Sequence, residues 1–135
     1  MDDGQEWRDG QEAGALKLYD AVLGQIRREV GDRFTVVHVM AALHLRGIGL
    51  VGDNTVSMLG RPNSQIAWDA SAPLAFILLG LGMDRMIGGG PCKPTRYPLK
   101  SWHPKLPYGR RGAKDFAEPR WVPMEYVFLK TARTR

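Results

Sequence analysis

The sequence predicts a small single α+β domain, with N-terminal helices and a short-stranded sheet, followed by an extended Pro-rich basic C-terminal arm. Three observations predict it. Apolar residues recur at spacings of three and four over Ala15–Val30. Two short stretches, Thr55–Leu59 and Gln65–Asp69, alternate with period two. After Gly88 the composition turns to proline, cations and aromatics. The chain of 135 residues, 44% hydrophobic and 24% charged, has room for one modest core and the composition of a globular protein.

Taken in order, residues 1–14 read as a polar, acidic lead-in. In Ala15–Val30 the residues Ala15, Tyr19, Val22, Ile26 and Val30 form one stripe, widened by Leu16 and Leu23, which is the pattern of an amphipathic helix. Gly31 stands where a glycine ends a helix, after Arg27 and Arg28, which suit the negative end of its dipole. Phe34-Thr35-Val36-Val37 is β-branched, but Val39–Arg46 is rich in helix formers and stops before Gly47, so a second helix is expected over Val36–Arg46.

Gly47–Gly88 is the stretch around which the domain is organised. In Thr55–Leu59, Val56 and Met58 share one face; in Gln65–Asp69, Ile66 and Trp68 do, as in half-buried strands. Gly52-Asp53-Asn54 and Gly60-Arg61-Pro62-Asn63-Ser64 carry turn chemistry. Leu74–Leu79 lacks alternation and is expected to be a strand covered on both faces, with Gly80-Leu81-Gly82 turning the chain at the sheet end. The domain is thus bounded at residues 15–88 and the arm at 89–135. A helix-turn-helix reading of Gly47–Ser64 fails, because a helix opening at Thr55 meets Gly60-Arg61-Pro62 too soon.

Charge divides the chain. Residues 1–92 hold 8 Lys/Arg against 11 Asp/Glu, and residues 93–135 hold 11 against 3, so a near-neutral body carries a cationic extension of +8. Such an extension calls for a negatively charged partner: RNA, an anionic lipid surface or an acidic protein face. Lys100, Lys105, Arg110, Arg111 and Lys114 alternate with Trp102 and Tyr108, and Trp121 follows. Cations neutralise phosphates while aromatic rings stack on bases, so these eight residues are the candidate partner or RNA contacts. Val127–Leu129 would add an edge strand or anchor.

The single cysteine, Cys92, excludes an internal disulfide and a thiolate metal cluster. His38 and His44 lie six apart and do not share a helix face as metal ligands at i, i+4 would. Asp53, Asp69 and Asp84 fall at strand ends or turns, where Asp serves local hydrogen bonding. Gly80-Leu81-Gly82 lacks the third glycine of a dinucleotide fingerprint and a Walker lysine. Cys92 has no neighbouring histidine to activate it. No catalytic residue, metal site, cofactor or small-molecule substrate is expected, and the chain reads as a protein that is not an enzyme. Ala70–Met83, the longest uncharged run, is shorter than the ~20 residues of a spanning helix. Met1–Trp7 is acidic and unlike a signal peptide.

Trp68-Asp69-Ala70-Ser71, and Pro73 followed by Ile77-Leu78-Leu79-Gly80-Leu81-Gly82-Met83-Asp84-Arg85-Met86, resemble the small α/β domain of the mitochondrial complex I assembly factor 3 family. That family sets a tryptophan-centred strand before a proline-led hydrophobic strand running into Gly-x-Gly and a basic residue. The resemblance spans at most residues 47–88. The family's helix between the tryptophan strand and the proline has no counterpart here, and neither do its later strands and helix. It implies a mitochondrial setting, in the matrix or at the matrix face of the inner membrane, and transfers no catalytic residue.

The resulting expectation is a non-catalytic accessory subunit of a large mitochondrial assembly, respiratory complex I or its supercomplex. It would dock on other protein subunits through its domain and arm. The alternative is a structural protein of the mitochondrial ribosome whose arm contacts rRNA.

Overall fold

A computed structural model describes residues 3–97, 108–109 and 115–132, with side chains from residue 14 onward. It is an α+β fold of three α-helices and two three-stranded sheets among the described residues. The first helix, α1, spans Asp3–Glu29 and so includes most of the expected lead-in. Glu6, Gln11, Glu12 and Ala13 are good helix formers, and extending an existing helix costs far less than starting one. Its buried stripe is Tyr19, Val22, Leu23 and Ile26, whereas Leu16 and Val30, expected on it, are 56% and 44% exposed. Gly31 closes it at φ +122°, its N–H donating to the Ile26 carbonyl at 3.2 Å.

Strand β1 (Arg33–Thr35) leads directly into α2 (Val36–Leu45), the boundary that Val36 predicts. His38 helps set that corner, because its Nδ1 accepts the Thr35 N–H at 2.9 Å. Burial lowers the His38 pKa, and a ring that accepts at Nδ1 is neutral there. The structural role of this histidine is therefore visible directly.

Strands β2 (Val51–Met58) and β3 (Arg61–Ala70) form an antiparallel hairpin closed by Leu59-Gly60, with Gly60 at φ +73°. The alternation in β3 holds in part: Ser64, Ile66 and Ala70 are buried and Asp69 is exposed, while Trp68, expected beside Ile66, is half-buried like Gln65 and Ala67. Gly52-Asp53-Asn54 is not a separate turn. It is an irregular part of β2, where Val51 and Asn54 both oppose Ala70 and Asn54 Nδ2 donates to the Ala70 carbonyl at 2.9 Å. Inserted residues of this kind bend a strand without ending it.

The expected buried strand at Leu74–Leu79 is a helix, α3 (Ala72–Met83). Ser71 caps it, accepting the Leu74 N–H at 3.3 Å, and Pro73 sits in the first turn, where a missing N–H costs nothing. Gly80 and Gly82 lie inside this helix rather than at a sheet end. Gly80 is a contact point: a Cβ there would come within 2.8 Å of the Tyr19 ring, so its hydrogen lets α1 and α3 approach.

The domain does not end at residue 88. Strand β4 (Ile87–Pro91) crosses that boundary, and β5 (Arg120–Trp121) and β6 (Met124–Phe128) come from the C-terminal stretch. The first sheet has the order β1-β6-β4, antiparallel throughout, so β6 is its central strand rather than an edge. The second has the order β2-β3-β5, with β5 parallel to β3. Phe34 and Tyr126 stack at 5.4 Å between ring centres where β1 meets β6. Val122, Met124 and Tyr126 join the helix residues Val39, Leu43, Ile77 and Leu78 in one continuous core.

Candidate functional site

Six of the candidate contacts, Lys100, Trp102, Lys105, Arg110, Arg111 and Lys114, lie outside the described residues, as does His103. Tyr108 and Trp121 are described, and they meet. Tyr108 pairs with Trp121 in a single parallel bridge, and their rings stand edge to face at 6.5 Å. Trp121 also meets Tyr97 edge to face at 5.5 Å and is only 4% exposed. A ring stacked on a base must offer an open face. Trp121 offers none and is a core residue, whereas Tyr108 remains 40% exposed.

The segment leading to Trp121 is pinned to β3 by one carboxylate. Asp115 accepts the Asn63 N–H at 3.0 Å and the Ser64 hydroxyl at 2.8 Å, while Asn63 Nδ2 donates to the Phe116 carbonyl at 2.7 Å. Burial works to raise the Asp115 carboxyl. The hydrogen bonds from Asn63, Ser64 and Phe116, with the charge of Arg61, hold it below its ordinary value. On β6, Glu125 accepts from Arg96 at 2.8 Å and faces Arg33 at 3.6 Å, and the Met124 N–H donates to Tyr97 Oη at 3.0 Å. These contacts seat the strands that the sequence reads as arm.

Asp84 and Cys92 each sit in a defined local environment. Asp84 ties elements together, accepting from the Tyr19 hydroxyl and from the Met86 N–H, each at 2.8 Å. Cys92 is half-buried, and burial first, then the Glu125 carboxylate, push its thiol up to about 11 against the opposing charge of Arg96. The thiol is thus neutral at physiological pH. Around neutral pH it therefore holds far less thiolate than an ordinary cysteine. Iodoacetamide should label the folded protein correspondingly slowly, with a rate that climbs towards pH 11 and jumps on unfolding in urea. Labelling of the folded protein as fast as of the unfolded one would contradict this environment.

Two features stand out as places to bind something. The first is α3, whose sequence APLAFILLGLGM contains no polar side chain. Leu74, Ala75, Ile77, Leu78 and Leu81 face the core, while Phe76, Leu79 and Met83, at helical spacing, are 38%, 44% and 59% exposed. Leu59 at the hairpin tip, 64% exposed, lies beside Gly82 and extends the apolar surface. A helix apolar all round is ordinarily covered all round. At twelve residues it is about 18 Å long, and no described helix is long and apolar enough to cross a membrane.

The second is a cleft of about 790 Å³ between the two sheets and the C-terminal half of α3. Its walls come from the hairpin end (Met58, Leu59, Arg61), from Ile66, from Leu78, Leu79, Leu81 and Gly82, from Ile87–Pro91 and from Met124 and Tyr126. Five elements contribute, which is why no linear motif announces it. Ser57 is spoken for, since its hydroxyl donates to the Pro62 carbonyl at 3.1 Å. Among the described residues no group of three His, Cys, Asp or Glu is disposed to hold a metal ion.

No protein-family model, no curated protein and no solved structure matches this chain.

Proposed function

We propose that the chain is a non-catalytic accessory subunit of a larger assembly, docked on a neighbouring protein through the outer face of α3. The observation that carries this reading is the half-covered helix: Phe76, Leu79 and Met83 face solvent on an element with no polar side chain. Contiguous exposed apolar surface of this kind is characteristic of interaction sites. In the proposal, the cations of the Pro-rich, basic stretch between Tyr97 and Asp115 meet an anionic surface of adjacent subunits. The mitochondrial setting, at respiratory complex I or its supercomplex on the matrix side of the inner membrane, rests on the family resemblance alone.

A second reading is favoured by one observation, the +8 charge of residues 93–135. It makes the partner rRNA of a mitochondrial ribosome, with Lys100, Arg110 and Arg111 on phosphates. The two readings separate on sedimentation of the tagged protein from detergent-solubilised mitochondria. Docking on protein predicts a large, RNase-resistant particle, from which Phe76→Glu and Met83→Glu release the chain to the top of the gradient. The ribosomal reading predicts an RNase-sensitive particle and a salt dependence that flattens when Arg110 and Arg111 are replaced by Gln. A wild-type chain recovered only as a free monomer would refute both.

A further inference from the structure

Strand β4, IGGGP, is an edge strand: β6 lies on one side of it and no described strand on the other. It differs from the other free edges. Strands β1 and β5 are three and two residues long, and β2 is interrupted by register shifts. All five residues of β4 keep an unbroken register with β6, and none is charged, so the edge lacks the charges that ordinarily guard an open strand.

Which backbone groups face the open side follows from the ladder. The Cys92 N–H donates to the Pro123 carbonyl and the Leu129 N–H to the Met86 carbonyl, each at 2.9 Å and both in the β4–β6 register. Bonded and non-bonded pairs alternate along antiparallel strands. Gly88 and Gly90 therefore bond to β6, whereas Ile87, Gly89 and Pro91 point their backbone groups away from it. The far side of β6 agrees: the Phe128 N–H donates to the Asp32 carbonyl, so Tyr126, opposite Gly89, commits its own backbone groups to β1. The Ile87 N–H already donates to the Asp84 carbonyl at 3.1 Å, and Pro91 has no N–H. The edge thus offers three carbonyls, those of Ile87, Gly89 and Pro91, and one N–H, that of Gly89, an exposed residue.

The cleft between the sheets follows this strand, since all five β4 residues line it. It lies on the sheet face of Met124 and Tyr126, which pair with Pro91 and Gly89. A strand laid beside β4 would turn every second side chain to that face, where Met58, Ile66, Leu78 and Leu81 wall the cleft. Gly89 sets no side chain there, and the position is committed to glycine, since φ is +133° and a Cβ would collide with the Glu125 carbonyl oxygen. The place opposite it is open to a large side chain. We propose that β4 receives an extended segment of a partner protein as an antiparallel fourth strand of its sheet, with a large apolar side chain opposite Gly89 entering the cleft. The segment needs an N–H at that residue and at the residues two before and two after it, so proline is excluded from all three. The β4 of a second copy does not meet this need: its Pro91 has no N–H to give, and its Gly89 would leave the cleft unfilled. The surface is separate from the outer face of α3, because Phe76 and Met83 do not line the cleft.

The probe is a capped nonapeptide with a lysine at each end and threonine alternating with valine about a central phenylalanine. It is titrated into the full-length chain and followed by amide chemical shifts and hydrogen exchange. In the free chain the Gly89 N–H should exchange faster than those of Gly88 and Gly90. Saturating peptide should shift the amides along β4 and slow Gly89 exchange roughly tenfold or more. Methylating the nitrogen of the central phenylalanine should weaken binding roughly tenfold, while methylating that of the next threonine, which points away from β4, should change it little. Alanine in place of the phenylalanine should also cost roughly tenfold or more. Phe76→Glu should bind the peptide as the wild type does, although that variant is expected to leave its assembly. The inference is overturned by an absence of saturable shifts, by equal effects of the two methylations, or by a Gly89 N–H that exchanges as fast in the complex as in the free chain. Binding lost in Phe76→Glu would place the peptide on α3 instead, and a dimer that protects Gly89 without peptide would place a second copy on the edge; either overturns it.

Discussion

A chain ending at residue 119 is expected to show no cooperative thermal transition. The deletion removes β6, the central strand between β1 and β4, so both outer strands lose the strand they pair with among the described residues. It also removes the buried side chains of Trp121, Val122, Met124 and Tyr126. Burying each such side chain contributes about 1.5–3 kcal/mol, so the four together are comparable to the whole stability of a small domain, about 5–15 kcal/mol. Circular dichroism melting and dispersion of amide resonances would report it. A sigmoidal melt with dispersed resonances in the truncated chain would mean that the fold does not depend on β5 and β6.

The next largest effect is expected for Phe34→Ala, a destabilisation of about 3–5 kcal/mol. Phe34 is 1% exposed and lies between two rings of β6, Tyr126 at 5.4 Å and Phe128 at 5.0 Å. Removing it leaves a cavity at the seam between β1 and β6, where aromatic pairs add about 0.5–1.5 kcal/mol beyond burial. Urea denaturation should show the midpoint falling with little change in slope. Phe128→Ala serves as the comparison, since Phe128 is half-buried and holds Arg27 over its ring at 5.3 Å; its cost should be clearly smaller. Equal losses for the two would show that the seam is not packed around Phe34.

The two variants probe what the C-terminal stretch does for the domain, which the sequence leaves hidden. Met124–Phe128 is five residues long, follows a proline-rich basic stretch and carries no strand-to-strand turn signal, so composition assigns it to an arm. Its place between β1 and β4 depends on partners about 90 and 35 residues away, and no local pattern encodes such pairing. Trp121 is the clearest case. Among cations and prolines it reads as an exposed ring, yet Tyr97, Tyr108 and the β3 edge enclose it.

Local physical chemistry alone determined the stripe of α1, the break at Gly31, the start of α2 at Val36 and the alternation of β3, because each is written in neighbours three, four or two residues apart. The α3 segment was legible in its cap, Ser71 with Pro73, but not in its periodicity: a run apolar on every face fits a buried strand and a helix equally. The tertiary structure decided between them. It also decided where apolar surface is left open among the described residues, along one side of α3 and in the cleft between the sheets. Those two features come from elements far apart in sequence, brought together only because β6 crosses the domain and the glycines of β4 place no side chains over it.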